Sequence, residues 1–163
     1  MIFVTVGTQL PFDRLISTVD DWAGSHVNID VVIQSGGSNF EPVHSTSTGF
    51  VGPSEWGEMF SNADLIVSHA GMGTILKCLD VGKPLIIMPR ITALGEHRND
   101  HQLATAQQFM DFENITVVQS EDELKSALNN PPLAKHESSA GMPENLIRLT
   151  TELRQFVLED NME

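Results

Sequence analysis

Short apolar runs alternate along the chain with polar stretches and with stripes of apolar residues at helical spacing. Five of the runs are rich in branched residues and end near glycine or polar positions, which predicts strands. They are "IFVTV" (residues 2–6), "IDVVIQ" (29–34), "DLIVS" (64–68), "LIIM" (85–88) and "ITVV" (115–118). A brief further strand is expected in "GFVG" (49–52), whereas the preceding "NFEPVHSTST" (39–48) has the composition of a loop.

Helical stripes fall between these strands. Pro53 and Ser54 favour a helix start, and the acidic run at residues 121–123 suits the positive end of a helix dipole. The expected helices are one with Phe12, Leu15, Ile16, Val19 and Trp22, one from Pro53, and others over residues 74–81, 99–112 (Leu103, Ala106, Met110) and 121–130. Residues 130–143 resemble a linker, and Leu146, Leu149, Leu153 and Phe156 predict a closing helix over 143–158.

Continuous apolar strands, as opposed to alternating ones, indicate a sheet that is buried on both faces. Repeated strand and helix units with right-handed crossovers produce such a sheet with parallel strands. A chain of 163 residues with 40% hydrophobic content can form one ordinary core. We therefore predict a single α/β domain over residues 1–163, with a parallel sheet of about six strands and helices on both faces.

The charge and composition exclude several classes of function. A net charge of −13, with nine Lys and Arg residues that form no run, disfavours nucleic acid and anionic lipid as partners. The single cysteine, Cys78, fits a buried packing thiol in a reducing compartment better than a nucleophile. The N-terminus lacks the features of a signal peptide, and the apolar stretch "PLIIMP" is too short to span a membrane. A soluble, cytoplasmic protein is expected.

Ligands of parallel α/β sheets bind at the carboxyl ends of the strands, and several polar or glycine-bearing segments follow predicted strand ends here. Those segments are residues 7–9, 36–37, 69–73 and 90–102. We expect them to face one crevice.

The turn "SHAGMGT" (68–74) has the features of an anion site. A helix that begins near Met72 or Gly73 leaves its first N–H groups without partners and carries partial positive charge there. Gly71 and Gly73 would let a diphosphate approach, and Thr74 adds a hydroxyl donor. Alternatively, the glycines only make a tight turn. The motif is neither a Walker A loop nor a complete GxGxxG, because Leu76 occupies the third glycine position.

Four motifs occur in order along the chain: "VTVGTQ", "SHAGMGT", "GKPLIIMPR" and "NDHQ". Together they resemble the C-terminal, donor-binding domain of family 28 glycosyltransferases of the GT-B fold, over residues 2–118. The resemblance is strongest to small subunits that carry only this Rossmann-like half, in a eukaryotic dolichol-linked transferase and in bacterial capsule and exopolysaccharide enzymes.

This resemblance implies a UDP-sugar donor as substrate, with no cofactor and no metal. The residues that it assigns to donor binding are Gly7, Thr8 and Gln9 beside the phosphates, Phe50 and Val51 at the uracil, Ala70, Gly71, Met72, Gly73 and Thr74 around the diphosphate, and Asn99, His101 and Gln102 at the sugar. One position departs from the family pattern. Lys77 stands where many relatives place a ribose-binding glutamate, and it could meet phosphate or point into solvent.

Inverting transfer places negative charge on the departing UDP, which N–H donors at a helix start would stabilise. The chain has no Asp-x-Asp motif to suggest a bridging metal ion. A base must deprotonate the acceptor, and the family implies that it comes from the other half of the active site. His69 is a weak local candidate, and a hydrogen-bonded structural histidine is the favoured interpretation. Zinc at His97 and His101 is disfavoured, because no third ligand lies near.

A GT-B active site lies between two domains, and this chain has material for one. The family therefore implies a heteromer with a membrane-anchored, acceptor-binding subunit that supplies a lipid-linked sugar and recruits the chain to the cytoplasmic face. The chain itself is expected to have no membrane span. Two alternatives stay open: a non-catalytic nucleotide-sugar-binding or scaffold module, favoured by Lys77, and a UDP-sugar epimerase.

Several other polar and aromatic residues allow less specific interpretations. Arg90 and Arg98 could offer charge to a diphosphate or form surface ion pairs. Trp22 and Trp56 lie on helical stripes, which favours packing. Asp20 and Asp21 are adjacent on a helix and point in different directions, so a catalytic carboxylate pair is not expected.

Overall fold

Six parallel strands form the centre of the structure, a computed structural model that describes residues 1–134. The strands are β1 (Ile2–Thr5), β2 (Val31–Gln34), β3 (Thr46–Thr48), β4 (Leu65–Ser68), β5 (Leu85–Ile87) and β6 (Ile115–Val117). Their order in the sheet is β3-β2-β1-β4-β5-β6. This is the doubly wound, Rossmann-like arrangement, in which the strand order reverses between β1 and β4.

The central strands are buried along their whole length, as their apolar sequences predict. Every residue of β1, β4 and β5 is buried. Val4 of β1 pairs with Ile33 of β2 on one side and with Val67 of β4 on the other. This register places one continuous apolar layer on each face of the sheet.

The third strand lies earlier in the chain than predicted. We expected it in residues 49–52, after a loop over residues 39–48, but β3 is Thr46–Thr48. It pairs only with β2, at the edge of the sheet, and its first two side chains are exposed. An edge strand needs no apolar side chains on its outer side, which explains why "TST" carried no hydrophobic signal.

Five helices cover both faces of the sheet, as predicted. They are α1 (Asp13–Gly24), α2 (Pro53–Asn62), α3 (Met72–Val81), α4 (His101–Gln107) and α5 (Glu121–Asn129), with a short 3-10 helix at Thr92–Leu94. α1 and α5 pack on one face, against residues such as Val4 and Ile33. α2, α3 and α4 pack on the other, against residues such as Phe3 and Ile66.

Helix α4 is shorter than the stripe over residues 99–112 predicted. It ends at Gln107, and Phe109, not Met110, completes its apolar face. Phe109 is fully buried, whereas 56% of Met110 is exposed. The backbone is no longer helical after Gln107. Phe109 therefore meets the core, one position earlier than Met110, which the 3.6-residue period predicted.

Polar contacts hold the ends of several elements. Lys83 donates to the backbone oxygens of Phe60, Ser61 and Ala63 at the end of α2. Ser120 accepts a hydrogen bond from the Glu123 backbone at the start of α5, as capping residues do. The Lys83 contacts thus tie the end of α2 to the segment before β5, and the Ser120 contact caps α5.

The predictions for Cys78, Trp22 and the Asp20–Asp21 pair agree with the structure. Cys78 is fully buried, and burial raises the pKa of its thiol to about 12, so it is a packing thiol. Trp22 is buried and donates to Asn129. Asp20 is buried and accepts from the backbone of Val43 and His44, whereas Asp21 faces Lys125 at the surface.

The closing helix predicted over residues 143–158 lies outside the described residues, as does most of the segment 130–143. Residues 131–134, at its start, have no regular secondary structure. Within residues 1–134, no helix has both the length and the apolar character needed to cross a membrane.

Candidate functional site

Two adjoining cavities open at the carboxyl edge of the sheet, on either side of Gly7 and Thr8. The main cavity has a volume of about 460 Å³ and the side cavity about 280 Å³. The main cavity is lined by Val6, Gly7, Thr8, Gln9, Leu10, His69, Ala70, Gly71, Met72, Arg90, His97, His101, Gln102 and Thr105. The side cavity is lined by Thr5, Gly7, Thr8, Gln34, Val51, Trp56, Gly73, Thr74 and Lys77.

Nearly all the residues that the sequence assigned to a donor site therefore meet at this edge. Val51, Gly73 and Thr74 line the side cavity, and the rest line the main cavity or both, except Phe50 and Asn99. The Phe50 side chain is 63% exposed. Asn99 contacts the imidazole of His101 without lining a cavity itself. The loops after β1, β4 and β5 bring these residues together from distant parts of the sequence.

The start of α3 lies between the two cavities and has no side-chain cap. Gly71 is the N-cap residue, and the first intrahelical bond runs from Ile75 N to Gly71 O at 3.2 Å. Within residues 1–134 the N–H groups of Met72 and Gly73 have no hydrogen-bond partner, and these residues line the main and the side cavity respectively. Unpaired N–H groups at the positive end of a helix suit an anion.

The two glycines of this turn have different structural roles. A Cβ on Gly71 would lie 2.4 Å from Nε2 of His69, so the imidazole requires a glycine there. A Cβ on Gly73 would meet nothing within 4 Å. For Gly71 the tight-turn alternative holds, because its N–H closes a turn on His69 O at 2.8 Å and a side chain there would meet the ring, although its φ angle is not positive. Neither a positive φ angle nor a close neighbour explains Gly73. Gly73 leaves open space where the backbone faces the side cavity, and no side chain of residues 1–134 fills that space.

His69 is packed between Gly7 and Gly71, as a structural histidine is, and the nearest backbone group to its ring nitrogens is that of Thr5. Its Nδ1 is buried and has no hydrogen-bond partner among the described residues. Burial, helped by the positive charges of Arg90 and His97, lowers the pKa of His69 to about 4, although the nearby backbone of Thr5 acts in the opposite direction. The imidazole is therefore neutral at physiological pH, and it is a weak base.

Arg90 does not form the surface ion pair considered for it, whereas a contribution of its charge to diphosphate binding stays a prediction, since the residue lines the main cavity. Only 2% of the residue is exposed, and its guanidinium donates to backbone oxygens of the loop after β1. Arg98 does lie at the surface, where it lines a third cavity of about 370 Å³ together with Gln9, Leu10 and His97. Of Arg90 and Arg98, only Arg98 carries an exposed positive charge beside the main cavity.

The polar residues of α4 are held by contacts within the site. Gln102 is buried, and its Oε1 accepts from the backbone N–H of Arg90 at 3.1 Å. This contact fixes the amide and directs its nitrogen away from Arg90. The His101 imidazole contacts Asn99 and meets the His97 ring edge-on, with 4.6 Å between the ring centroids.

The floor of the side cavity consists of polar groups that end apolar strands. Thr5 donates to Gln34 at 2.7 Å, and Trp56 Nε1 donates to the Thr5 hydroxyl at 3.3 Å. The Lys77 ammonium lies over the Trp56 ring at 4.6 Å and over Phe60 at 4.9 Å. Lys77 is exposed, and its cation is held at the cavity by the two aromatic faces.

Comparison with known proteins agrees with this arrangement. The model of the glycosyltransferase family 28 C-terminal domain matches residues 1–151. The chain belongs to this family. Family 28 membership confirms the resemblance inferred from the four motifs.

Three fungal and human relatives of this family 28 domain carry one name, UDP-N-acetylglucosamine transferase subunit ALG13. The Candida albicans protein is 42% identical over 69 residues, which is 42% of this chain and 22% of the relative. The human protein is 32% identical over 118 residues, which is 66% of this chain and 10% of the relative. The Yarrowia lipolytica protein is 27% identical over 133 residues, or 72% and 64%. The chain thus spans less than two thirds of each relative's length.

Solved structures share the fold at low sequence identity. The NMR structure of ALG13 superposes with a TM-score of 0.59 at 19% identity, covering 83% of this chain and 90% of that one. The crystal structure of Acinetobacter baumannii MurG gives 0.56 at 19% identity, covering 78% and 40%. At this level of identity the likeness concerns the fold alone.

Several residues that line the cavities of this family 28 domain were missed from the sequence. Thr5 and Gln34 are the last residues of β1 and β2, and a polar residue at the end of an apolar strand was the signal that could have identified them. Trp56 was assigned to packing only, although it also lines the side cavity. Arg90 was considered for its charge only, and its hydrogen bonds to backbone oxygens could not be read from the sequence.

Metal-ligating side chains do not gather at this edge of the sheet. Residues 1–134 contain no group of three His, Cys, Asp or Glu side chains placed to hold an ion. The arrangement can instead offer backbone N–H donors and a helix dipole to an anion. Donor binding without a metal ion stays a prediction for this family 28 domain.

Proposed function

We propose that the chain is the donor-binding subunit of a UDP-sugar glycosyltransferase. It would transfer the sugar to a polyprenyl-diphosphate-linked acceptor in glycan or polysaccharide precursor synthesis, together with a membrane-associated subunit that binds the acceptor at the cytoplasmic face. Family 28 membership supports the activity class. The names of the ALG13 relatives, which contain "UDP-N-acetylglucosamine transferase" and "subunit", support the donor and the division into subunits.

The observation that carries this proposal is the uncapped start of α3 between the two cavities. The N–H groups of Met72 and Gly73 would donate to the UDP diphosphate, opposite the loop of Gly7, Thr8 and Gln9. Val51 and the side cavity would hold the nucleoside, and His101 and Gln102, with Asn99 behind them, would meet the sugar. Fixed N–H donors would stabilise the charge that develops on UDP as an inverting transfer proceeds.

The base that deprotonates the acceptor belongs, in this proposal, to the partner subunit. His69 is the candidate nearest the start of α3, but a pKa of about 4 makes it a poor proton acceptor at neutral pH. Proton transfer is most effective when the pKa of the base lies near the working pH. His69 then only lines the main cavity, and transfer of the sugar to the acceptor requires the second subunit.

Replacing Gly73 tests the diphosphate site without disturbing the fold. In Gly73→Leu the side chain would start from open space and lean toward the helix N-terminus, where it would cover the donor groups. We expect UDP binding, measured by calorimetry, to weaken by at least about tenfold, because hydrogen bonds to a charged group contribute roughly 1.5–3 kcal/mol.

The matched control is Gly57→Leu. Gly57 also lies within a helix, and a Cβ there also meets nothing within 4 Å, but it lines neither cavity. This variant should bind UDP as the wild type does, and both variants should keep or raise the melting temperature, since leucine favours helices over glycine. Equal UDP affinity in the Gly73 variant and its control would refute the diphosphate site.

The need for a partner is tested by reconstitution. UDP-N-acetylglucosamine transfer to a polyprenyl-diphosphate-linked sugar should be absent with the purified chain and present when the membrane protein that co-purifies with it is added. Full transfer by the chain alone would contradict the assignment of acceptor and base to a second subunit.

A non-catalytic nucleotide-sugar-binding module is the second candidate, and Lys77 favours it. The ammonium over Trp56 places a cation on the side cavity, where the family pattern has a carboxylate for the ribose. Such a module would bind UDP saturably and give no transfer even with the correct partner. The same reconstitution therefore separates the two candidates.

A further inference from the structure

Among residues 1–134, the Arg90 side chain donates hydrogen bonds only to backbone oxygens. Its guanidinium donates to Val6 O at 2.8 Å, Leu10 O at 2.7 Å, Glu96 O at 3.2 Å and to Pro11 O. One face of the guanidinium lies over the Phe12 ring, 4.5 Å from its centroid. A planar guanidinium offers five donors in a rigid fork, whereas an ammonium group offers three on a flexible stem.

Three of the four oxygens that Arg90 binds, those of Val6, Leu10 and Pro11, belong to the loop between β1 and α1, residues 6–12. Within residues 1–134, the backbone N–H groups of Thr8, Gln9 and Leu10 make no hydrogen bond to hold this loop. Gln34 Nε2 donates to Gly7 O at 3.1 Å from the side cavity. Arg90 holds the other end by donating to Leu10 O. The exposed residues Thr8 and Gln9 therefore lie between a contact with Gln34 and a contact with Arg90.

The backbone of Arg90 holds the opposite wall of the main cavity. Its N–H donates to Oε1 of Gln102, as described above. One residue therefore links the loop after β1 with the first turn of α4, and both line the main cavity. The carboxylate of Glu96 is not shared with Arg90, since it pairs with Arg14 at 2.6 Å.

We propose that Arg90 is a positioning residue for the donor: it sets the separation between the phosphate-facing loop at Gly7, Thr8 and Gln9 and the sugar-facing Gln102, without contacting the ligand. This inference rests on the proposed function. It assigns to the arginine of "IIMPR" a role that differs from neutralising a diphosphate, because both terminal nitrogens of its guanidinium already donate to backbone carbonyls.

Arg14 provides a matched control. It lies over the same Phe12 ring at 5.5 Å, is bonded to Glu96, and its side chain is only 11% exposed. It donates to Pro89 O and Gln119 O, each at 3.3 Å, and to no backbone oxygen of residues 6–11. Loss of Arg14 should weaken the fold in the same region and leave the loop in place.

The test compares Arg90→Met and Arg90→Lys with Arg14→Met and Arg14→Lys, using the full chain well below the melting temperature of each variant. Calorimetry with UDP and with UDP-N-acetylglucosamine measures affinity, and ¹⁵N relaxation reports the motion of Gly7, Thr8 and Gln9. We expect Arg90→Met to weaken both ligands by about ten- to a hundredfold, as displaced binding groups do. Arg90→Lys should fall between it and the wild type.

The relaxation data should show greater mobility of the loop in the ligand-free Arg90 variants and no change in the Arg14 variants. Equal losses of affinity at Arg90 and Arg14, or an unchanged loop, would overturn the inference while leaving the proposed function intact. A wild-type chain that fails to bind UDP overturns both. If Arg90→Met does not fold, the two lysine variants make the same comparison.

Discussion

The imidazole of His69 occupies a space that only glycine neighbours allow. Cβ atoms on Gly7 and Gly71 would lie 2.8 Å and 2.4 Å from ring atoms of His69. Gly7 also has a φ of 78°, which other residues adopt with difficulty. The ring and the two glycines thus form one packing unit at the base of the main cavity, and each constrains the others.

This unit predicts a coupling that a double-mutant cycle can measure. Gly71→Ala should destabilise the protein by about 1–3 kcal/mol in urea unfolding, the usual cost of overpacking. The cost should fall by at least about 1 kcal/mol in the His69→Ala background, where the ring is absent. Gly73→Ala is the control, because its Cβ meets no neighbour and alanine favours the helix. Additive effects at positions 69 and 71 would contradict the contact.

The low pKa of His69 predicts a pH dependence of stability. The folded state has a pKa of about 4 and the unfolded state about 6.5, so between these values the unfolded state binds more protons. Stability is fully present above pH 6.5 and falls as the pH is lowered toward 4. From pH 7.5 to 5 the loss from this group is about 2 kcal/mol. Urea unfolding at both pH values should show a smaller loss in His69→Gln, and a ring that titrates near 6.5 by NMR would contradict the prediction.

For single residues, the sequence indicated which positions matter better than it indicated which contacts make them matter. The spacing of Gly71 and Gly73 indicated a helix start that an anion could approach, and the structure has that start. It could not show that Gly71 is required by a ring two residues earlier, because the direction of His69 depends on the loop after β1. Arg90 was ambiguous for the same reason: its acceptors are carbonyls, which every residue possesses.

Among the elements, α2 depends on a lysine from outside the helix. Lys83 and Lys77 each place their ammonium 4.9 Å from the Phe60 ring, but only Lys83 donates to carbonyls at the end of α2. A cation at a helix C-terminus satisfies free oxygens and complements the dipole.

The two lysines therefore make a matched pair. Lys83→Met should lower the free energy of unfolding by about 1–3 kcal/mol, the scale of hydrogen bonds that involve a charged group. Lys77→Met should cost no more than about 1 kcal/mol, as an exposed cation–π contact does. Urea unfolding of both variants measures the difference. Comparable losses would mean that the contact with Phe60, and not the carbonyls, is what stabilises α2.

The elements themselves were predictable wherever the core determines them. The five apolar runs are all strands, because burial on both faces demands continuous apolar sequence. β3 was displaced in the prediction because Thr46–Thr48 lies at an edge and is mostly exposed. The end of α4 was misplaced because Phe109 reaches the core from a turn that follows the helix.

For the whole molecule, a diphosphate site made of backbone N–H donors at the uncapped start of α3 predicts metal-independent donor binding. The affinity for UDP, measured by calorimetry, should be the same in EDTA and in millimolar MgCl₂. Binding would rest on backbone donors and the α3 dipole, which need no carboxylate-held cation. Binding that disappears with the chelator and returns with Mg²⁺ would contradict this prediction.

The architecture of the whole molecule could be predicted from the sequence, but the division of the site into two cavities could not. Alternating strands and helices predicted a parallel sheet with a crevice at its carboxyl edge, as found. That the crevice is two cavities divided by Gly7 and Thr8 depends on how far the loop after β1 extends over the sheet. The anchors Arg90 and Gln34 set that distance through contacts that no local pattern records.

The bond between Arg90 and Val6 joins residues that are 84 positions apart in the chain. During translation β1 leaves the ribosome long before its anchor, so a nascent chain that ends before residue 90 has the glycine loop without the group that holds it. A nucleotide that binds only the completed site can stabilise only the completed protein. Cellular donor levels would then protect finished molecules from proteolysis and leave stalled translation products unprotected.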